Sequence, residues 1–198
     1  TVFQPVDCNG FEIKTSNVTI EDLFIYGYSS NTNNYTGIHC ELSNQSESQD
    51  RLSNLNFESL KLQNLVVGIE LKHAWSCTLN NIKTVVHATQ TPKMSQGIRL
   101  FGQSVNNQIS NCNIIAEGKA IAIIRENPYV LTPLENTETR RAEGLMITNS
   151  FISGNYAIYS EGILNLNVSN CVIDLNKEIA ILGYHTDHLK LSNNWIAA

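Results

Sequence analysis

The sequence has little charge: Asp, Glu, Lys and Arg together make up 16% of its 198 residues, whereas hydrophobic residues make up 42%. Asn, Ser and Thr stand where charged residues are missing, and they suit strands and turns better than helices. The 13 basic residues are outnumbered by 18 acidic ones, which gives a net charge of -5. Because a phosphate backbone attracts basic surfaces, we expect no nucleic acid partner.

Long apolar runs and metal-binding motifs are missing as well. No apolar run reaches the length of about 18 residues that a membrane span requires, and no signal peptide is visible at Thr1. The five cysteines show no CxxC spacing and no His at zinc-ligand spacing. We therefore expect neither a bound metal nor another cofactor.

What the sequence does contain is a repeated phrase of eight residues. The seven copies are Val18–Ile25, Leu55–Leu62, Cys77–Thr84, Asn107–Ile114, Leu145–Ile152, Leu166–Ile173 and Leu189–Ile196. Positions one, three, six and eight are mostly apolar or Cys, whereas positions two and four are mostly polar. The fifth position is Asp22, Ser59, Asn81, Asn111, Asn149, Asn170 or Asn193. This alternation predicts two short strands with a one-residue corner, where Asn tolerates left-handed backbone.

A third alternating segment follows each phrase except the last. The six segments are 37–40, 68–71, 97–100, 120–123, 157–160 and 179–182. Coils of about 21 to 23 residues with three short strands predict an all-β fold: a right-handed, single-stranded parallel β-helix of about seven coils with an Asn ladder at one turn. In this fold Cys40, Cys77, Cys112 and Cys171 point into the core, so we expect unbridged thiols. We also expect residues 1–198 to form a single domain cut from a longer chain.

With three strands per coil and Asn at one fixed corner, the sequence resembles the pectate-lyase-like superfamily of right-handed β-helices. The resemblance covers Phe11–Trp195. It implies that the Gly-Ile strands, such as 68–71, carry a substrate groove on their outer face. Insertions that precede or follow these strands are 26–36, 41–53, 85–96 and 124–143. Because they lie on one side of the scaffold, they predict the walls of a binding face.

Within this superfamily, the polygalacturonase signature elements and the clustered Asp ligands of pectate lyases are missing here. The composition is most similar to a bacteriophage tailspike or a related capsule or O-antigen depolymerase. That resemblance implies a glycosidase-type enzyme acting on bacterial surface polysaccharide, assembled as a homotrimer and located in the virion tail or outside the cell. Two alternatives stay open: a non-catalytic glycan-binding or structural fibre or adhesin segment, and a uronate polysaccharide lyase or epimerase.

Candidate site residues follow from the direction of the side chains on the third strand. If Ile38, Ile69 and Ile98 point inward, the residue after each of them points outward. One outward column is then His39, Glu70, Arg99, Ala122, Tyr159 and Ala180. The second outward column is Glu41, Lys72, Phe101, Ile124, Glu161 and Leu182.

Two carboxylates of these columns are the candidate catalytic pair. Glu41 and Glu70 are separated by roughly 8 Å according to strand spacing, within the range of about 6.5–9.5 Å of inverting glycosidases. Glu70 is the expected base and Glu41 the expected acid. The candidate substrate-binding residues are His39, Lys72, Arg99, Phe101 and Tyr159. The cations suit sugar carboxylates or hydroxyls, and the rings suit pyranose faces.

Two other interpretations remain open at this point. Charges of alternating sign on an outer face are also typical of a solvated surface with cross-strand pairs. A rival carboxylate pair is Glu21 and Glu58, which occupy the same position of adjacent phrases. Their expected spacing of about 5 Å is that of a retaining glycosidase.

Overall fold

A computed structural model of the chain describes residues 1–6, 8–27, 35–42, 51–86, 93–126 and 142–197. All regular elements in these ranges are β-strands, and every pair of neighbouring strands runs parallel. No helix in the described ranges is long and apolar enough to cross a membrane. The strands form three large sheets, here called I, II and III.

Sheet I has eight strands: β1 (Val2–Phe3), β4 (Phe24–Tyr26), β8 (Lys61–Gln63), β12 (Lys83–Val85), β15 (Asn113–Ile115), β18 (Phe151–Ser153), β21 (Val172–Ile173) and β24 (Trp195–Ile196). Sheet II has seven: β2 (Phe11–Ile13), β5 (Thr36–Cys40), β9 (Val67–Lys72), β13 (Gln96–Phe101), β16 (Lys119–Ile124), β19 (Tyr156–Ser160) and β22 (Ile179–Gly183).

Sheet III also has seven strands: β3 (Thr19–Glu21), β7 (Asn56–Glu58), β11 (Thr78–Asn80), β14 (Gln108–Ser110), β17 (Ala142–Thr148), β20 (Ile163–Ser169) and β23 (Thr186–Ser192). A small separate pair is formed by β6 (Leu52–Ser53) and β10 (Ala74–Trp75). From β2 onward the chain visits sheets II, III and I in turn, and one such circuit is called a rung. This connectivity is consistent with a parallel β-helix.

The predicted corner between sheets III and I is confirmed. All seven fifth-position residues have positive φ, from 50° at Asn149 to 55° at Asn111. The side-chain contacts differ from a simple amide ladder, because Asn111 Nδ2 donates to Asn80 Oδ1 at 2.7 Å and Asn81 Nδ2 donates to Ser59 Oγ at 3.0 Å. The bonds therefore connect adjacent rungs through whichever polar side chain lies nearest the corner.

A second column of positive-φ residues stands immediately before each phrase, and the sequence interpretation did not identify it. Its members are Asn17, Asn54, Ser76, Asn106, Gly144, Asn165 and His188. Their amides continue the ladder between rungs: Asn54 N donates to Trp75 O at 3.1 Å, and Asn106 N donates to Glu143 O at 2.8 Å. Each copy of the phrase thus follows a left-handed residue, which lies before the strand in β3, β7, β11 and β14 and within the strand in β17, β20 and β23.

The core lies between the three sheets and consists of inward columns. Ile38, Ile69 and Ile98 pair in register and are fully buried, as predicted. The four expected core cysteines are also buried, and all five cysteines of the chain are free thiols. Burial raises the pKa of both Cys77 and Cys112 to about 11, so these thiols stay protonated and unreactive.

Two details of the sequence interpretation need correction. Strands β1 and β2 had not been identified, although β2 adds a rung to sheet II below β5. In the last rung Tyr159 pairs with Leu182, not with Ala180. Leu182 therefore belongs to the first outward column, and the predicted alignment of β22 was displaced by two residues.

The corner predicts a specific stability difference. Asn111→Ala keeps the need for positive φ but loses the bond to Asn80, so we expect the free energy of unfolding to fall by about 1–2 kcal/mol. Asn111→Gly should cost less, because glycine adopts positive φ without strain. Urea denaturation of both variants, with exposed Lys83→Ala as control, measures this. Equal losses for Ala and Gly would show that the backbone conformation is unimportant.

Candidate functional site

The candidate residues lie on the outer face of sheet II, where cross-strand register defines their neighbours. The first outward column is His39, Glu70, Arg99, Ala122, Tyr159 and Leu182. In the second column Lys72 pairs with Phe101, and Phe101 pairs with Ile124. Glu41 directly follows β5. Parallel pairing without offset therefore places charged residues of three successive rungs side by side.

Five of these side chains form one continuous network of ion pairs and hydrogen bonds. In order they are Lys72, Glu41, His39, Glu70 and Arg99. The His39 ring stands between the two carboxylates, with Nδ1 2.8 Å from Glu70 Oε2 and Nε2 3.1 Å from Glu41 Oε2. Lys72 Nζ donates to Glu41 Oε1, and Arg99 Nη1 lies 3.1 Å from Glu70 Oε1.

The network is only partly solvated, which strengthens its electrostatics. The side chain of Glu70 is 13% exposed and that of His39 is 22% exposed. The hydrogen bond to Glu70 raises the pKa of His39, although burial acts in the opposite direction. Burial raises the pKa of Glu70, but the bond from His39 and the charge of Arg99 outweigh it, and the pKa is lowered. The pKa of Glu41 is also lowered, since bonds from Lys72 and His39 outweigh burial.

These shifts indicate the protonation states. Ionised carboxylates only accept hydrogen bonds, so the His39 ring must donate from both nitrogens and is then an imidazolium. Glu41 and Glu70, the predicted catalytic carboxylates, are therefore ionised. The proton that could be transferred to a carboxylate or a ligand is on the His39 ring. A general acid normally has a raised pKa, so in the free protein His39 rather than Glu41 holds a proton for transfer.

Aromatic rings lie at two places along the same face. The ring of Phe101 is 5.5 Å from Lys72 Nζ and 5.1 Å from Arg99 Cζ, so it adjoins the network. Tyr159 is two strands beyond Arg99 and donates its hydroxyl to Glu161 Oε1 at 3.1 Å. The structure thus brings six of the seven predicted site residues together and places Tyr159 farther along the column.

A third outward column was missed by the sequence interpretation. It contains Gln96, Lys119 and Tyr156, which pair in register. Strict alternation from Ile98 would point Gln96 inward. Gly97 and Ile98 both face the core, however, so the alternation is interrupted and Gln96 points outward. A Cβ on Gly97 would lie 2.5 Å from Ile114 Cγ2 in the core. A small residue before each inward Ile was the available signal.

The structure also bears on the rival carboxylate pair, the predicted groove walls and metal binding. Glu21 and Glu58 do pair across β3 and β7, and Glu58 Oε2 accepts a hydrogen bond from Asn80 Nδ2 at 2.8 Å. The central parts of the four predicted groove walls, residues 28–34, 43–50, 87–92 and 127–141, lie outside the described residues. Within the described part, no group of three His, Cys, Asp or Glu side chains is placed to hold a metal ion.

Comparisons with known proteins add little to this geometry. No protein-family model matches the chain, and no curated protein sequence matches it. A solved structure of ORF18 from Geobacillus virus E2 is similar over 98% of this chain, with 9% sequence identity and a TM-score of 0.36. The match covers 51% of the viral chain, so this chain spans about half its length.

The bridging imidazole predicts a measurable titration. The NMR midpoint of His39 should lie above its usual value of 6.5, because Glu70 stabilises the charged ring. Glu70→Gln should lower that midpoint more than Glu41→Gln, since Glu70 is the stronger cause. Carbon-bound ring protons followed against pH give the midpoints. A midpoint at or below 6.5 in the unmodified chain would show that the network does not form.

The same shifts predict when the network stabilises the fold. His39 contributes fully below its unfolded value of 6.5, and its contribution disappears as pH rises through the raised folded pKa. The glutamates contribute above 4.5, and their contribution disappears as pH falls through their lowered folded pKa values. The difference in unfolding free energy between the unmodified chain and His39→Gln should therefore be largest between pH 4.5 and 6.5. Urea denaturation across pH tests this, and a flat difference would contradict it.

Proposed function

We propose that this chain is a right-handed parallel β-helix of about seven coils whose sheet II binds a bacterial surface polysaccharide. The observation that carries the proposal is the continuous network from Lys72 to Arg99 beside the ring of Phe101. Fixed donors and acceptors next to an aromatic face are what a sugar ring requires, since sugars present hydroxyls around apolar C–H faces. The rigid parallel sheet holds these groups at constant spacing.

Cleavage of the bound polysaccharide is the second part of the proposal, and the position of His39 favours it. Glu70 would accept a proton from the attacking water, and Glu41 would donate one to the oxygen of the departing sugar. In the free protein Lys72 and His39 keep Glu41 ionised. A sugar that displaces Lys72 removes one of these influences, and burial then favours the protonated acid.

His39 would supply the proton that Glu41 transfers. When the sugar displaces Lys72, the imidazolium gives its Nε2 proton to Glu41 and keeps its Nδ1 proton on the side of Glu70. After cleavage Glu70 carries the proton taken from water and releases it to solvent, while His39 takes up a proton at Nε2 from solvent. Water has then added across the glycosidic bond, and each group has the protonation state of the free protein.

A non-catalytic glycan-binding or fibre segment remains the main alternative, because paired charges bind hydroxyls without any proton transfer. A uronate lyase would instead need a base at the sugar C5 and would give an unsaturated product. The tailspike resemblance of the composition supports two further parts of the proposal, a homotrimer and a location in the virion tail or outside the cell.

Cleavage is tested by measuring reducing ends released from a panel of capsular and O-antigen polysaccharides. Glu70→Gln should lower the release rate at least about 100-fold while the variant still sediments with the polysaccharide. Glu12→Gln is the matched control, because Glu12 precedes His39 in the same column and pairs with solvent-exposed Lys14. It should behave as the unmodified chain.

Each outcome of the panel has one meaning. If the chain sediments with a polysaccharide but releases no new reducing ends, the proposed binding is supported and the proposed cleavage is rejected. Ultraviolet absorbance of an unsaturated uronate would replace hydrolysis by elimination. Sedimentation with none of the polysaccharides would remove the proposed function altogether.

A further inference from the structure

We infer that Arg99 and Lys119 form a subsite for the anionic substituent of a sugar, so that the bound polysaccharide is an acidic one. The inference rests on the proposed function, since it specifies what the same face binds. Neither Lys119 nor the Arg99–Lys119 pair was among the sequence-based candidates for this role.

Arg99 uses only part of its hydrogen-bonding capacity within the network. Nη1 pairs with Glu70 Oε1 at 3.1 Å, and the guanidinium lies 5.1 Å from the ring of Phe101. Its Nε is buried and has no hydrogen-bond partner among the described residues. A buried donor without a partner is costly, and a ligand oxygen would satisfy it.

Lys119 is the second cation, and it reaches along the same face. Its Nζ lies 3.5 Å from the centroid of the Tyr159 ring, which fixes the direction of the side chain. In the described part of the chain no carboxylate is within ion-pair distance of this ammonium. Burial is the main reason that the pKa of Lys119 is lowered; the charge of Glu161 raises it, and the charge of Arg99 lowers it.

The space between the two cations is suited to a small anion. Lys119 is in β16, the neighbour of the strand of Arg99, but it is opposite Gln96, three residues before Arg99. Its side chain reaches Tyr159, which is in the same column as Arg99. The residue opposite Arg99 is Ala122, whose methyl group leaves room above the sheet. Beside Lys119, Gln96 Oε1 is buried without a described partner and can accept a bond from a sugar hydroxyl.

Charge favours an anion over a neutral hydroxyl here. The two cations repel each other; Glu70 pairs directly with Arg99 alone, and Glu161 acts on Lys119 without an ion pair. A carboxylate or sulfate between them would accept from Arg99 Nε and Lys119 Nζ and remove that repulsion. The Tyr159 ring contacts Lys119, and the Phe101 ring is next to Arg99, so both rings help to position the two cations.

The test follows the Nε–H signal of Arg99 by NMR, assigned by its disappearance in Arg99→Lys. Glucuronate should shift this signal, whereas glucose at the same concentration should not. Lys119→Met should weaken the glucuronate response about tenfold, the loss expected of one charged hydrogen bond. Lys190→Met is the control, since Lys190 is exposed on sheet III, and it should leave the response unchanged.

A response to glucose equal to that of glucuronate, or an unchanged response in Lys119→Met, would overturn the inference. Sodium sulfate at matched ionic strength is a third arm. A response to sulfate as strong as that to glucuronate would show a site for any anion and would also overturn the sugar subsite.

The polysaccharide panel separates this inference from the proposed function. Acidic members should bind at least about tenfold more tightly than their carboxyl-reduced forms, and the difference should shrink in Lys119→Met. Equal binding of both forms would remove the acidic subsite and leave the glycan-binding face. Binding of no polysaccharide would remove the proposed function, whatever glucuronate alone does.

Discussion

The parallel hydrogen-bond ladder between rungs is the constraint on which the rest of this structure depends. It continues through the corners: Asn111 N donates to Thr148 O at 3.1 Å, and Asn106 N donates to Glu143 O at 2.8 Å. A sharp corner of one residue keeps successive strands aligned, but it requires left-handed backbone, which costs about 1–2 kcal/mol for most residues. Asn tolerates that conformation best among non-glycine residues, so its recurrence in the sequence reflects the ladder. Aligned rungs in turn put His39, Glu70 and Arg99 into one column.

Most of the fold could be predicted because its determinants are local. Period-two alternation and a fixed corner residue predict two strands within eight residues. In the structure each of the seven phrases forms these two strands. The alignment of β22 was wrong because its residues were matched to the other strands by residue type and not by their position relative to the corner. Ala180 occupies the place of Gly97, Ala120 and Ala157, the small residues that turn inward before an Ile. Alignment on that small residue gives the register that the structure shows.

The second corner column was harder to predict, because its residue types vary more. Ser76, Gly144 and His188 interrupt the run of Asn there. These three residues share a positive φ angle but permit it for different reasons. Ser76 has a short polar side chain, Gly144 has no Cβ, and the imidazole of His188 tolerates the left-handed region. For the candidate site, the sequence could predict only which side chains point outward from each strand. The position of Lys119 over Tyr159 is a contact between strands and has no local signature.

Charge balance limits what this face can bind. Lys72, His39 and Arg99 face only two carboxylates within the network, so one positive charge stays in excess there. Lys119 adds another positive charge nearby, which Glu161 offsets in part. A neutral sugar must exchange partly buried ion pairs for hydroxyl contacts, which gains little because the displaced charges lose their partners. An acidic sugar would supply the missing charge, which offsets the loss of the Lys72–Glu41 pair that the proposed cleavage requires. Among glycans, the acidic class is therefore the one that the proposed site would bind with the smallest net loss of ion pairing.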